Sequence, residues 1–296
     1  MNTEKNSNFP DIAGSFTHRF VQPVGEWALS LFGYLGAASL LMGQAIIGAA
    51  GLPWGKWAIQ SVLPWRWGEL RRDRKWRLIL EQMEKIGVAS LPLVFLTSLF
   101  TGMVLALQTA YQLQKMSAVL YIGPLVALSV TRELGPVLTA LVVAGRVGAS
   151  ITAELGTMKV TEQIDALECL GVDPNRYLVV PRLVVLILML PLLTIYADMV
   201  GILGGYIVGV YKLNIGSNLY LHMTWDTLRY KDVFTGLFKA GIFAAIISTI
   251  ACHEGFETHG GAEGVGQSTT LSVVTAFILI IAADCFFTAF FYFVFP

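Results

Sequence analysis

The sequence is short of charge. Asp, Glu, Lys and Arg make up 14% of its 296 residues, against roughly 25% in an ordinary soluble domain. Hydrophobic residues make up 55%, and mean hydropathy is +0.65. That leaves too little polar surface to cover a water-soluble globule of this size. Neither sign prevails: 20 Lys and Arg balance 20 Asp and Glu, so nothing points to nucleic acid as a partner. The three cysteines, Cys169, Cys252 and Cys285, are widely spaced in or beside apolar stretches. They read as small apolar residues or reduced thiols, not as a disulfide frame. His253 and His259 stand near Cys252 without zinc-type spacing, so no metal ligand is assigned. The sequence has no G-x-x-x-x-G-K-[ST] phosphate cradle, no H-E-x-x-H and no nucleophile elbow. The glycine cluster GGAEGVG at 260–266 reads as a flexible loop. No catalytic residue and no cofactor held by this chain is expected. The first 23 residues carry Glu4, Lys5 and Asp11 and no apolar core; they read as a polar cytoplasmic tail, not a cleavable signal.

What the sequence has in quantity is long apolar runs. A spanning helix needs about 20 such residues. Four stretches qualify, at 87–113, 122–158, 178–211 and 271–295, and a fifth at about 233–254 is interrupted by Lys239. The second, at 1.5 Å per residue, would extend roughly 55 Å, and Pro124 and Pro136 are expected to break or kink it near its start. Residues 27–50 are uncharged and rich in glycine, and they lead into Trp54, Trp57, Trp65 and Trp67. Tryptophan favours the membrane–water interface, so an interfacial or re-entrant helix competes with a full span there. The expected fold is therefore an all-α membrane protein: a tail at 1–23, an interfacial elbow at 24–86, and five transmembrane helices at 87–296. Orientation follows from Arg66, Arg71, Arg72, Arg74, Lys75, Arg77 and Lys85. By the positive-inside rule this basic segment is cytoplasmic, which puts 159–177 and 255–270 inside and 114–121, 213–231 and the C-terminus outside.

Three patterns carry functional hints. Small residues recur at i+4 in Ala140, Ala144, Gly148, Thr152 and Gly156, and again in Gly201, Gly205 and Gly209; they predict close helix packing. Arg132, Glu133, Arg146, Asp198, Lys239 and Asp284 fall in or at the edges of apolar segments, where a charge must be paired or face water. Arg132 and Glu133 are adjacent and point about 100° apart, so each needs its own partner, whereas Lys239 and Asp284 lie on different spans and can meet. Ion pairs that glue the bundle and charges lining a path for a polar head group both remain open readings. Between two spans, KVTEQIDALECLGVDP (159–174) forms a short amphipathic helix. Thr161 is its expected cap, Gly171 and Pro174 end it, and Glu162, Asp165 and Glu168 form an acidic stripe. A solvated loop helix and a helix that docks in a basic groove of a cytoplasmic partner are both compatible with it.

The residues from 128 to 183, with RELGPV, AGRVGA, AELGTM, TEQIDAL and DPNR followed by PR, resemble the MlaE/YrbE permease family of bacterial ABC lipid transporters associated with MCE proteins. GMVLALQ (102–108), LPLLT (190–194) and GILGG (201–205) fit the same family. The resemblance covers about 87–296. It departs at 1–60, which is longer and more apolar, and at Asp198, which has no evident counterpart. It implies a homodimer in the bacterial inner membrane, N-terminus cytoplasmic and C-terminus periplasmic. Each copy would have five spans behind a membrane-surface helix. The implied role is to move phospholipid between that membrane and a periplasmic MCE-domain protein, maintaining outer-membrane lipid asymmetry. ATP and Mg would be bound by a separate cytoplasmic ABC ATPase, docked on a coupling helix at 161–171 through Glu162, Gln163, Asp165 and Glu168. Leu105, Gln108 and Tyr111 would face a lipid cavity at the dimer axis. Arg132 and Glu133 match the family's intramembrane charged pair, and Lys239 and Asp284 match the charges of its last two spans. Two rivals from other classes are a proton-coupled secondary transporter using Glu133, Asp198 or Asp284, and a membrane scaffold that transports nothing.

Overall fold

A computed structural model describes residues 81–294, Ser117 excepted; the expected tail, most of the elbow and the Trp-rich stretch lie outside the described residues. Seven helices follow one another among the described residues: α1 (Glu81–Gln114), α2 (Val119–Val160), α3 (Gln163–Cys169), α4 (Asn175–Tyr211), α5 (Ser217–Thr227), α6 (Tyr230–Phe256) and α7 (Gly261–Val294). There is no strand among the described residues. Helices α1, α2, α4, α6 and α7 are long and apolar enough to cross a membrane. A helix satisfies every backbone hydrogen bond within itself, which lipid requires.

Several boundaries differ from the sequence expectation, in part because hydropathy reports membrane thickness while a helix can run on into water. Residues 81–86, expected in the elbow, are the first turns of α1. The expected loop at 255–270 is mostly helix: the chain turns at Gly260 and Gly261, with φ of +87° and +72°, and α7 begins there. The glycine cluster is thus a tight turn and the start of a helix. The expected external loop at 213–231 contains α5. Helix α2 does not break at its prolines. It accommodates its length with two π-helical segments, Val130–Leu134 and Ala144–Gly148, and Pro136 enters the helical segment that follows the first of them.

Helix α4 is the most enclosed span, and the glycines explain how its neighbours approach it. A Cβ on Gly102 of α1 would stand 1.9 Å from the carbonyl oxygen of Gly201, so the two backbones are in direct contact. Gly236 of α6 meets the carbonyl of Thr131 on α2 in the same way, at 2.3 Å. In lipid such contacts supply packing where the hydrophobic effect is silent. The predicted stripe on α2 is indeed internal: Ala140, Ala144, Gly148, Thr152 and Gly156 are all buried. Thr152 ties three helices, its hydroxyl lying 3.1 Å from the Ala251 carbonyl and sharing a 2.9 Å hydrogen bond with the Ser272 hydroxyl. Helix α5 lies against the glycine face of α4. There a Cβ on Gly209 would meet the Tyr220 ring at 2.5 Å, and burial pushes the Tyr220 phenol up to about 12.

The apolar core divides in two. One cluster gathers Ala140–Leu155, Val180–Leu193, Phe243–Cys252 and Ile280; the other gathers Ala106, Ala110, Ile122, Val126, Val130, Val208 and Tyr220. On α2 and α4 the stretch between them holds Thr131–Glu133 and Asp198, and Lys239 of α6 joins Glu133 to Asp284 of α7. The bundle therefore has a polar layer where its two apolar clusters meet.

Candidate functional site

The polar layer is built around Lys239, whose side chain is 2% exposed. Its ammonium donates to Glu133 Oε2 at 2.7 Å, Asp284 Oδ1 at 2.9 Å and Thr288 Oγ1 at 2.7 Å, with the Arg132 carbonyl at 3.4 Å. The Thr288 hydroxyl lies 3.0 and 3.2 Å from the two Glu133 oxygens. One cation thus joins α2, α6 and α7. An ammonium buried alone would cost several kcal/mol; here its donors are satisfied by two carboxylates and a hydroxyl.

Arg132 and Glu133 sit on the first π segment of α2. Being successive residues they diverge, and each finds a different partner, as their adjacency requires. Glu133 faces Lys239, while Arg132 Nε donates to Asp232 Oδ1 at 2.7 Å and its Nη2 contacts the same oxygen. Asp232 is buried, and its other oxygen accepts the Arg229 backbone N–H at 3.0 Å, capping α6. The network opens outward on one side: the side chains of Arg132, Glu133 and Asp284 are 56%, 38% and 22% exposed. Beside that opening is an aromatic wall in which Phe238 meets Phe287 and Phe291 edge-on at 5.9 and 5.8 Å between ring centres. A charged patch rimmed by aromatic and aliphatic surface has the chemistry to hold an amphipathic molecule.

The pairing expected of Lys239 with Asp284 is present, and Glu133 joins it. Asp232 and Thr288 were not singled out in the sequence. Asp232 lies seven residues before Lys239, two turns earlier on the same face of α6, but it sits among the loop-like charges Arg229 and Lys231. Leu105, Gln108 and Tyr111 lie on α1, outside this network: Leu105 is half-buried against the second apolar cluster, and Gln108 and Tyr111 are exposed. Tyr111 instead accepts a hydrogen bond from Lys115 Nζ at 3.4 Å. Asp198 is buried on α4, its Oδ1 without a hydrogen-bond partner and pressed against Gly135, where no Cβ intervenes.

Helix α3 is shorter than expected and is capped differently. Thr161 Oγ1 bonds back to the Thr157 carbonyl and extends α2, so it does not cap α3; the N-cap is Glu162, in the left-handed region at φ +59°. Gly171, at φ +72°, lies just beyond its end. Glu162, Gln163, Asp165 and Glu168 are all exposed, while Ile164 is buried against the bundle. Asp165 is held by Lys159 at 2.9 Å. The helix presents carboxylates outward from the end of the bundle where α2 finishes and α4 begins.

Residues 79–290 match the family described as Permease MlaE. The chain is 41% identical over 277 residues to a probable ABC transporter permease protein of Rickettsia typhi, covering 94% of this chain and 95% of that one. It is 38% identical over 255 residues to the chloroplastic protein TRIGALACTOSYLDIACYLGLYCEROL 1 of Arabidopsis thaliana, covering 82% and 73% respectively. It is also similar to the intermembrane phospholipid transport system permease protein MlaE of Haemophilus influenzae, at 36% identity over 271 residues, or 91% and 96% of the two chains.

Proposed function

Since the chain belongs to the MlaE permease family and is a multi-pass membrane permease subunit, we propose that it is the membrane half of an ATP-driven phospholipid transporter. The observation that carries this reading is the Lys239 network. It is a charged patch, open on one side and bounded by aromatic side chains, set among apolar spans. Such a patch suits the polar head of a lipid whose acyl chains lie along apolar helix faces. Helices α1 and α7 offer those faces: Phe95, Leu96, Phe100, Val104 and Leu107 on the first, and Ile278, Ile281, Phe286 and Phe290 on the second, are all well exposed. A second copy of the chain would enclose them and complete a cavity that includes Leu105, Gln108 and Tyr111.

The work stroke comes from outside the chain. A separate cytoplasmic ABC ATPase binds ATP and Mg and docks on α3 through Glu162, Gln163, Asp165 and Glu168; its closure shifts α2 and α4, the two spans that α3 joins. In this scheme α3 is cytoplasmic, the end of α7 is periplasmic, and the lipid passes to or from a periplasmic MCE-domain protein across the bacterial inner membrane. Co-purification in mild detergent tests the docking. The Glu162→Lys, Glu168→Lys double variant should lose its ATPase while the permease remains monodisperse and keeps its lipid. Undiminished ATPase binding overturns the docking role, and a wild-type complex with no phospholipid by mass spectrometry overturns the substrate.

A further inference from the structure

The polar layer accounts for Arg132 and leaves Arg146, the other arginine on a π segment of α2, without a role. Arg146 is half-buried and faces the start of α1, where its Nη1 donates to Ser90 Oγ at 2.6 Å and lies 3.5 Å from the Lys85 carbonyl. Among the described residues no carboxylate pairs with it. It borders a cavity of about 320 Å³ between α1 and α2, which Gln82, Lys85, Ala89, Ser150 and Glu154 also line. Glu154 is the cavity's one carboxylate, and it is already engaged. Arg182 holds its Oε2 at 3.0 Å, while Lys85 stands 3.9 Å from its Oε1. The cavity thus holds two cations, Lys85 and Arg146, and one carboxylate, which Arg182 engages from outside the lining.

A guanidinium recessed among apolar spans without a counter-charge is a standing demand for an anion. The cavity supplies room for one, and apart from Glu154, which Arg182 and Lys85 engage, its polar groups (the Gln82 amide, the Ser150 hydroxyl and the Lys85 ammonium) can donate. Phosphate fits this donor set, because a planar guanidinium can engage two phosphate oxygens at once. The site lies between two spans at the end of the bundle where α3 also sits. Basic pockets between transmembrane helices at that depth take lipid head groups.

We propose that the cleft formed by Lys85, Arg146 and Ser150 binds the phosphate of an anionic phospholipid drawn from the leaflet on the α3 side, with its acyl chains along the exposed face of α1. The site is separate from the Lys239 network, and it stands whether or not phospholipid is the transported substrate. Its role is to hold the start of α1 against α2 through a lipid phosphate.

The test is retention of phosphatidylglycerol by the purified full-length protein, delipidated in mild detergent and titrated with lipid under native mass spectrometry. Arg146→Gln should weaken retention about tenfold, as expected for losing a charge-assisted contact, and Lys85→Gln about threefold. Arg146→Lys should recover part of the loss. Arg176→Gln, which removes an exposed cation from the same end, should change retention less than twofold. Diacylglycerol, which has the same tails and no phosphate, should not be retained. If Arg146→Gln does not fold, Lys85→Gln decides alone, since that side chain is 68% exposed. Native-like retention in the folded variants overturns the proposal. So does equal retention of diacylglycerol, and so does displacement of the lipid by millimolar inorganic phosphate, which marks a plain anion site.

Discussion

Helix α2 uses one device twice, with opposite outcomes. Each of its two π segments carries an arginine in an apolar span, and π segments recur where a side chain must leave the regular helical register. At the first, Arg132 meets Asp232, and its neighbour Glu133 meets Lys239, so each charge of the pair has a partner of opposite sign within the chain. At the second, Arg146 has a hydroxyl and a backbone carbonyl but, among the described residues, no carboxylate. Charge inside a membrane protein is therefore of two kinds. Some is balanced internally and holds helices together, and some is left for a molecule that arrives from outside.

That contrast makes graded predictions. Lys239→Met has the largest effect, because it leaves Glu133 and Asp284 facing each other without their cation. Removing one partner of a buried pair costs about 3–5 kcal/mol, so thermal unfolding in detergent should show a large drop in midpoint; a drop of only a degree or two would break the contrast. Next is Gly102→Leu, at the backbone contact with Gly201. Overpacking there should cost about 3 kcal/mol by the same measurement, through separation of α1 from α4. Asp232→Asn follows at about 1–2 kcal/mol, because Arg132 is partly exposed and can turn to solvent. Arg146→Gln should be the mildest, near 1 kcal/mol for its bond to Ser90, since no buried carboxylate is orphaned. If it destabilised as much as Lys239→Met, Arg146 would belong with the internally balanced charges.

Much of this was legible in the sequence because lipid leaves few solutions. Twenty apolar residues in a row have to be a helix, so the five spans among the described residues followed directly, and the i+4 small residues of α2 turned out to be internal. The adjacency of Arg132 and Glu133 was enough to require two separate partners. Their identities were less accessible. Asp232 falls between the expected loop at 213–231 and the span from 233, and its distance of 100 residues from Arg132 gave no local signal. The start of α7 was missed because its glycines have poor helix propensity, and tertiary contacts such as Ser272 with Thr152 outweigh that. Helix α5 was missed because its residues are only mildly apolar; what fixes it is Tyr220 lying on the glycine face of α4. The cap of α3 was assigned to Thr161, which the structure gives to α2 because a left-handed Glu162 separates the two helices.

The most direct test of the account is transport itself. The complex of this permease with its ATPase, reconstituted in vesicles holding a fluorescent phospholipid, should transfer that lipid to an acceptor only when ATP is hydrolysed. Transfer should stop with a non-hydrolysable analogue and be indifferent to a proton uncoupler. Transfer that collapses with the uncoupler and ignores ATP would contradict the account, and would put Glu133, Asp198 or Asp284 in the role of a proton carrier.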